Sequence, residues 1–337
     1  MNGVLIIDKP AGLTSHDVVN RVRRIIGQRS VGHLGTLDPM ATGILPLVTG
    51  NFTRLAQFYM SSEKTYEGTV RFGFCTDTYD AEGEPTSDPM NVTLNPDELE
   101  STAAKFRGLI EQTPPPFSAK KIKGVPAYKL ARKQKEVTLQ PVQVEVKELE
   151  VLGVDVDRMR FRARVSSGTY LRSVAHDLGK ALGCGAHLET LRRTSVAEFT
   201  IAEAHTLEEV AASAGKPAML SGTRASSAVS LQPGNVVGIE EGSAGRSATV
   251  TATPSQEEAE VFHELFVHPR KLLPQMPCVT ADELTAARIR AGRTVNLPEL
   301  SRAGQVKVFV GQRNLIAIAT RVAGTLFHPR IVLCGTG

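Results

Sequence analysis

Two stretches of this chain alternate so regularly that they read as strands with one covered and one charged face. In EKTYEGTVRFGF (63–74), Tyr66, Val70, Phe72 and Phe74 share one side, and Thr65, Glu67, Thr69 and Arg71 share the other. In RMRFRARV (158–165), Met159, Phe161, Ala163 and Val165 oppose Arg158, Arg160, Arg162 and Arg164. Successive side chains of a strand point to opposite faces, so each stretch offers an apolar face to a core. Four arginines on one pleat either meet solvent or meet anions.

Helical periods alternate with these strands. After an apolar strand at Val4 to Asp8, a helix is expected from about Ser15 to Ile26, capped by Thr14 or Ser15, with Val18, Val19, Val22, Ile25 and Ile26 on one face. Asn95, Pro96 and Glu98 announce another, expected to run to about Glu111 before TPPPFSA breaks it. A third carries Leu171, Val174, Ala175, Leu178, Ala181 and Leu182, with Gly183 placed to end it. Strands and helices mixed without a regular βαβ repeat predict an α+β catalytic domain over 1–210. Residues 211–260 are rich in Ala, Ser, Gly and Thr without sustained apolar period, as in an insertion or linker. Residues 261–337 then read as a small, β-rich domain, with a short helix capped by Thr280 and Glu283 and strands at QVKVFV, LIAIATRV and PRIVL.

With 337 residues and 41% hydrophobic content the chain can fill a sizeable core, and two domains are expected. No apolar run approaches the roughly 18 residues of a membrane span, and the N-terminus lacks a basic leader or a cleavage site, so no membrane association and a cytoplasmic location are expected. The four cysteines include no CxxC pair, which argues against a zinc knuckle or a disulfide scaffold. A net charge of +4 is mild, but KKIKGVPAYKLARKQK (120–135) carries seven Lys or Arg and no acid. Within an insertion at about 112–138, Lys120, Lys121, Lys123, Lys129 and Arg132 are candidates to follow a phosphate backbone.

The segment GHLGTLDPMATG (32–43) sets one acid, Asp38, among three glycines and a proline. Pro39 biases Asp38 toward extended angles, and glycines permit turns and close approaches. By itself the pattern favours a structural turn over a loop presenting a carboxylate.

Four blocks in order, LIIDKPAGLTSHDVV, GHLGTLDPMATG, EKTYEGTVRFGFCTDTYDAEG and SSGTYLRSVAHDLGKALGCGAHLETLRR, resemble the bacterial tRNA pseudouridine-55 synthases of the TruB type. GTLFHPRIVL resembles the closing strands of a PUA RNA-binding domain, whereas 211–260 departs from the usual compact connection of that family. The resemblance implies a mainly antiparallel sheet in the catalytic domain and isomerisation of uridine 55 in the T-arm loop of tRNA. It implies no metal and no cofactor, in keeping with the absence of Walker and GxGxxG motifs. Asp38 matches the essential aspartate, acting as nucleophile or by assisting formation of a glycal. Arg172 matches the arginine that pairs with it, and Tyr66 the active-site tyrosine. His33, Tyr170 and Leu191 match positions lining the uridine pocket. Because the chain begins almost at its first strand, a stand-alone enzyme is expected rather than a guide-RNA-dependent subunit, and a monomer is the expected oligomeric state. A non-catalytic RNA-binding or RNA-folding protein on the same scaffold is the alternative.

Overall fold

The computed structural model describes residues 1–118, 120–122, 124–127, 139–215, 264–299 and 302–333. Its N-terminal part begins with β1 (Gly3–Lys9), whose residues are almost all buried, followed by α1 (Ser15–Ile26). Thr14 caps α1 through its hydroxyl, which accepts from the Asp17 N–H, while the Asp17 carboxylate accepts from the Thr14 N–H. Gly27 ends the helix in the left-handed region, at φ +67°, where a side chain would be strained. Val18, Val19 and Val22 are buried against Leu5, Ile7, Leu45 and Leu47, each such side chain contributing about 1.5–3 kcal/mol.

The chain continues through β2 (Val31–His33), β3 (Thr42–Thr49), the one-turn α2 (Ala56–Tyr59), β4 (Lys64–Phe72), α3 (Pro96–Ala104) and β5 (Gly108–Gln112). A short hairpin, β6 (Lys121–Ile122) and β7 (Val125–Pro126), precedes β8 (Val142–Asp155), β9 (Arg158–Val165), α4 (Leu171–Ala181), β10 (Ala186–Val196), β11 (Phe199–Thr200) and α5 (Leu207–Ser213). Among the described residues, nine of these strands form one sheet in the order β1-β3-β10-β4-β9-β8-β5, with β2 added to β3 and β11 to β10. Within this sheet, among the described residues, only β3 and β10 are strands paired in parallel. The expected end of the catalytic part, near Val210, falls inside α5.

Helices α3 and α4 cover the face that carries Tyr66, Val70, Phe72, Met159, Phe161 and Val165. On the other face three of the four β9 arginines meet anions, and those anions are the protein's own carboxylates, whereas Arg160 lines a groove. Arg158 pairs with Asp157 and Glu189, Arg162 with Glu67 and Glu150, and Arg164 with Glu63 and Glu148.

The helix expected to reach Glu111 instead stops at Ala104. Gly108 takes φ +85°, and residues 108–112 pair antiparallel with Val146 to Val142 of β8. Strand pairing overrides a sequence whose apolar spacing also suits a helix.

The C-terminal sheet comprises β12 (Cys278–Thr280), β13 (Val295–Asn296), β14 (Gln305–Val310), β15 (Asn314–Ala323) and β16 (Leu326–Val332) in the order β12-β14-β15-β16-β13. The helix α6 (Glu283–Arg290) packs on it. Its cap is Asp282, accepting from the Thr285 N–H at 2.6 Å, rather than the expected Thr280, which belongs to β12. The two parts share one core: Val4, Ile6, Phe52 and Tyr59 pack with Leu272, Phe309, Ile318 and Ile331. Glu198 joins them by accepting from the Tyr59 hydroxyl at 2.6 Å and the Leu273 N–H at 2.8 Å.

Candidate active site

The loop between β2 and β3 is held from beneath by three buried side chains. Lys9, fully buried at the end of β1, donates from Nζ to the carbonyls of Pro10 (2.8 Å), Leu13 (2.7 Å) and Pro39 (3.1 Å). Ser15, the first residue of α1, accepts from the Leu37 N–H at 2.8 Å and donates to its carbonyl at 3.0 Å. Arg193 of β10, also fully buried, donates to the carbonyls of Ile44 (2.9 Å), Thr36 (3.1 Å) and Gly35 (3.1 Å). Gly43, at φ +97°, lies so close to β10 that a Cβ would come 2.2 Å from the Arg193 carbonyl. Burial drives the Lys9 ammonium down to about 8, partly countered by the nearby Asp38 charge.

Asp38 sits on top of this clamp, its side chain 34% exposed and facing Arg172. Arg172 occupies the first turn of α4 and is itself 5% exposed. Its Nη2 donates to Asp38 Oδ1 at 3.1 Å, and Nε lies 2.9 Å from Oδ2, a close ionic contact without an aligned hydrogen bond. The guanidinium also donates to the carbonyls of Thr78 (3.1 Å) and Phe117 (3.0 Å), and Nη1 stands 3.4 Å from the buried carboxylate of Asp80. One fork thus ties two carboxylates and two loops together. The start of α4 is fixed by Gln112, whose side-chain amide accepts from the Tyr170 N–H at 2.8 Å and donates to its carbonyl at 3.0 Å.

Tyr66 and Leu191, each 8% exposed, belong to one apolar cluster with Leu37, Ala41 and Leu171, so the structure brings them to the Asp38 loop and the base of α4. Tyr170 lies within the fields of Arg172 and Asp38, and burial raises its hydroxyl above the ordinary tyrosine value while nearby Ser118 opposes this. His33 ends β2, and its Nδ1 accepts from the Gly35 N–H at 3.3 Å. Burial, then Arg193 and His16, hold His33 below the usual histidine value, so it is a neutral ring with a proton on Nε2. No contact joins it to Asp38. Among the basic candidates, Lys120 is exposed and the Lys121 backbone lies in β6; Lys123, Lys129 and Arg132 lie outside the described residues.

A groove of about 560 Å³ adjoins the loop through Met40 and Leu191 and is lined further by Glu82, Arg160 and Arg192. Asp38 stands outside its lining. Glu82 feels burial first, then Asp80 and Asp38, all of which raise its carboxyl.

Sequence reasoning missed Lys9, Ser15, Asp80 and Arg193. Lys9 carried a signal, since a lysine that closes an apolar strand must find acceptors for its ammonium if it is buried with that strand. Nothing in the sequence separates Arg193 from its neighbour Arg192, which pairs at the surface with Asp8 at 2.6 Å.

The N-terminal domain of the TruB family of pseudouridylate synthases matches residues 23–171, and the C-terminal domain of tRNA pseudouridylate synthase B matches residues 172–219. The tRNA pseudouridine synthase B of Solibacter usitatus is 45% identical over 336 residues, covering 99% of this chain and all of that protein. The chain belongs to the TruB family. The tRNA pseudouridine synthase B of Aquifex aeolicus is 49% identical over 211 residues, 62% of this chain and 73% of that protein. An H/ACA ribonucleoprotein bound to a substrate RNA containing 2′-deoxyuridine holds a chain that superposes with a TM-score of 0.63 at 21% identity, over 99% of this chain and 85% of that one. At that identity the likeness is one of fold, and it extends the TruB-type architecture through the C-terminal β domain.

Proposed function

We propose that this TruB-family chain isomerises uridine 55 in the T-arm loop of tRNA to pseudouridine, with Asp38 as its catalytic carboxylate. The observation that carries the reading is the two-point contact of Arg172 with Asp38 on a loop immobilised by Lys9, Ser15 and Arg193.

The reaction breaks the N1–C1′ bond of uridine, turns the uracil and joins C5 to C1′, with the C5 proton lost and N1 protonated. Bonds and electrons balance within the nucleoside, so no redox or group-carrying cofactor is required. Asp38 attacks C1′ or assists loss of the C2′ proton, and either route needs an ionised carboxylate, which the Arg172 cation favours. Tyr66 stacks on the target nucleotide, and in the elimination route its hydroxyl relays the C2′ proton, handing its own to the Asp38 carboxylate as it takes that one up. Leu191 and Tyr170 wall the uridine pocket, and His33 meets the RNA near the flipped base.

The target base lies within a folded loop and must be extruded, at about a few kcal/mol, offset by stacking and phosphate contacts. Lys120, Lys121, Lys123, Lys129 and Arg132 supply such contacts without reading sequence, and the C-terminal domain adds others. The β9 face is poorly suited to that task, because three of its four arginines, Arg158, Arg162 and Arg164, are already matched by glutamates. We place the protein in the cytoplasm as a monomer acting without a guide RNA; among the described residues no helix is long and apolar enough to cross a membrane.

The test is incubation with an unmodified tRNA transcript, followed by chemical labelling and primer extension. A primer-extension stop at position 55, lost when that uridine is changed to cytidine, is expected. No stop, or a stop elsewhere, contradicts the reading.

A further inference from the structure

The turn that completes the Arg172 site contains one residue in an unfavourable conformation. Tyr79 has φ +65°, a region that aromatic residues seldom enter. This geometry serves its neighbours. It turns the chain between Thr78, whose carbonyl accepts from Arg172 at 3.1 Å, and Asp80, whose Oδ2 lies 3.4 Å from the same guanidinium. The Thr78 hydroxyl in turn donates to Asp80 Oδ1 at 2.6 Å, and the Tyr79 carbonyl accepts from the Leu188 N–H at 3.0 Å, anchoring the turn to β10.

What favours this conformation is a stack on α4. The Tyr79 ring lies on the His176 imidazole with centroids 3.9 Å apart and planes 12° from parallel. His176 follows Arg172 by four residues, so both side chains share one face of the helix. Its Nδ1 is buried with no hydrogen-bond partner among the described residues, which leaves the ring contact to hold it. Burial keeps His176 below the usual histidine value, hence neutral near pH 7.

We propose that Tyr79 and His176 form a positioning pair, a stacked clasp that holds the Thr78–Asp80 turn against α4 and so sets the orientation of Arg172 toward Asp38. Neither side chain touches the reacting atoms. The proposal rests on the reading of Asp38 and Arg172 as the catalytic pair.

Four variants of the full chain test it: Tyr79→Gly, which accepts the backbone angle but removes the ring, His176→Ala, Tyr79→Phe, which keeps the ring, and Asp38→Asn. Each is assayed for single-turnover pseudouridine formation at saturating enzyme, for tRNA affinity and for thermal unfolding. Tyr79→Gly and His176→Ala are expected to slow the single turnover by about tenfold to a hundredfold, in line with small displacements of a catalytic group, while tRNA affinity is unchanged and Tyr79→Phe retains the wild-type rate. A fifth protein that combines Tyr79→Gly with His176→Ala is expected to be no slower than the worse of those two singles. A wild-type rate in folded His176→Ala overturns the proposal, as does equal slowing in Tyr79→Phe or a loss confined to affinity. If Tyr79→Gly does not fold, the His176→Ala and Tyr79→Phe comparison decides. Full activity of Asp38→Asn refutes instead the underlying site, a separate outcome.

Discussion

Replacing Lys9 with methionine separates the stability of the Asp38 loop from its function. Burial lowers the Lys9 ammonium from 10.5 to about 8, a penalty on the charged form of about 3 kcal/mol at 1.36 kcal/mol per unit. Three carbonyls accept from Nζ and offset part of it. Methionine fills much of the same volume and removes penalty and bonds together. The Pro39 carbonyl keeps the Gly12 N–H at 2.9 Å, whereas those of Pro10 and Leu13 lose the Nζ donor, at about 1–3 kcal/mol each. Against the penalty relieved, the net change runs from about 1 kcal/mol of stabilisation to about 3 kcal/mol of destabilisation. Catalysis is more sensitive, because Pro39 adjoins Asp38 and a shift of about 1 Å in a reacting group can lower a rate about 10²-fold. Urea unfolding and single-turnover release of tritium from C5-labelled uridine in tRNA measure the two effects. A Lys9→Met protein that folds with a stability inside that range and is markedly slower is expected. A near-wild-type rate, or a protein that fails to fold, refutes the reasoning.

Asp80→Asn keeps the shape of the turn but removes a charge 3.4 Å from Arg172, so single-turnover rate is expected to fall while the fold survives; unchanged rate would show that Asp80 does not tune the fork. Ser15→Ala strips the Leu37 N–H of its buried acceptor and should destabilise by about 1–3 kcal/mol in urea titration. Lys9 and Lys64 both titrate near 8 when folded, below their ordinary 10.5, because burial disfavours the ammonium. Between about 8 and 10.5 the unfolded chain then binds more protons, so their stability contribution is least favourable below 8 and improves as pH rises. Activity should run the other way, since neutral Lys9 grips the carbonyls less firmly. Wild type should therefore slow above about pH 8 while gaining stability relative to Lys9→Met; parallel pH–rate curves for the two proteins would contradict this.

Local signals placed the framework well where local chemistry decides it. The bounds of α1 follow from Thr14 and Gly27, and β4 and β9 from their alternation. They failed where distant partners decide. Residues 108–112 become a strand because β8 lies beside them, and Asp282 rather than Thr280 caps α6 because Thr280 pairs with Phe309. The site divides in the same way. The blocks of family resemblance pointed to Asp38, Tyr66 and Arg172, and the fold joins Asp38 to Arg172 across 134 residues. Two of the three clamp residues beneath them were illegible, because Arg193 and Ser15 act through backbone carbonyls and amides, which leave no mark in a sequence pattern.

The most direct measurement is tritium release from tRNA labelled at C5 of uridine, comparing the wild-type chain with Asp38→Asn under single-turnover conditions. The C5–H bond breaks only if the uracil is rejoined through C5. Release by wild type and none by Asp38→Asn, with tRNA binding retained in both, is the expected result. Equal release by the two proteins contradicts the central claim that the Asp38 carboxylate, held by Arg172, performs the isomerisation.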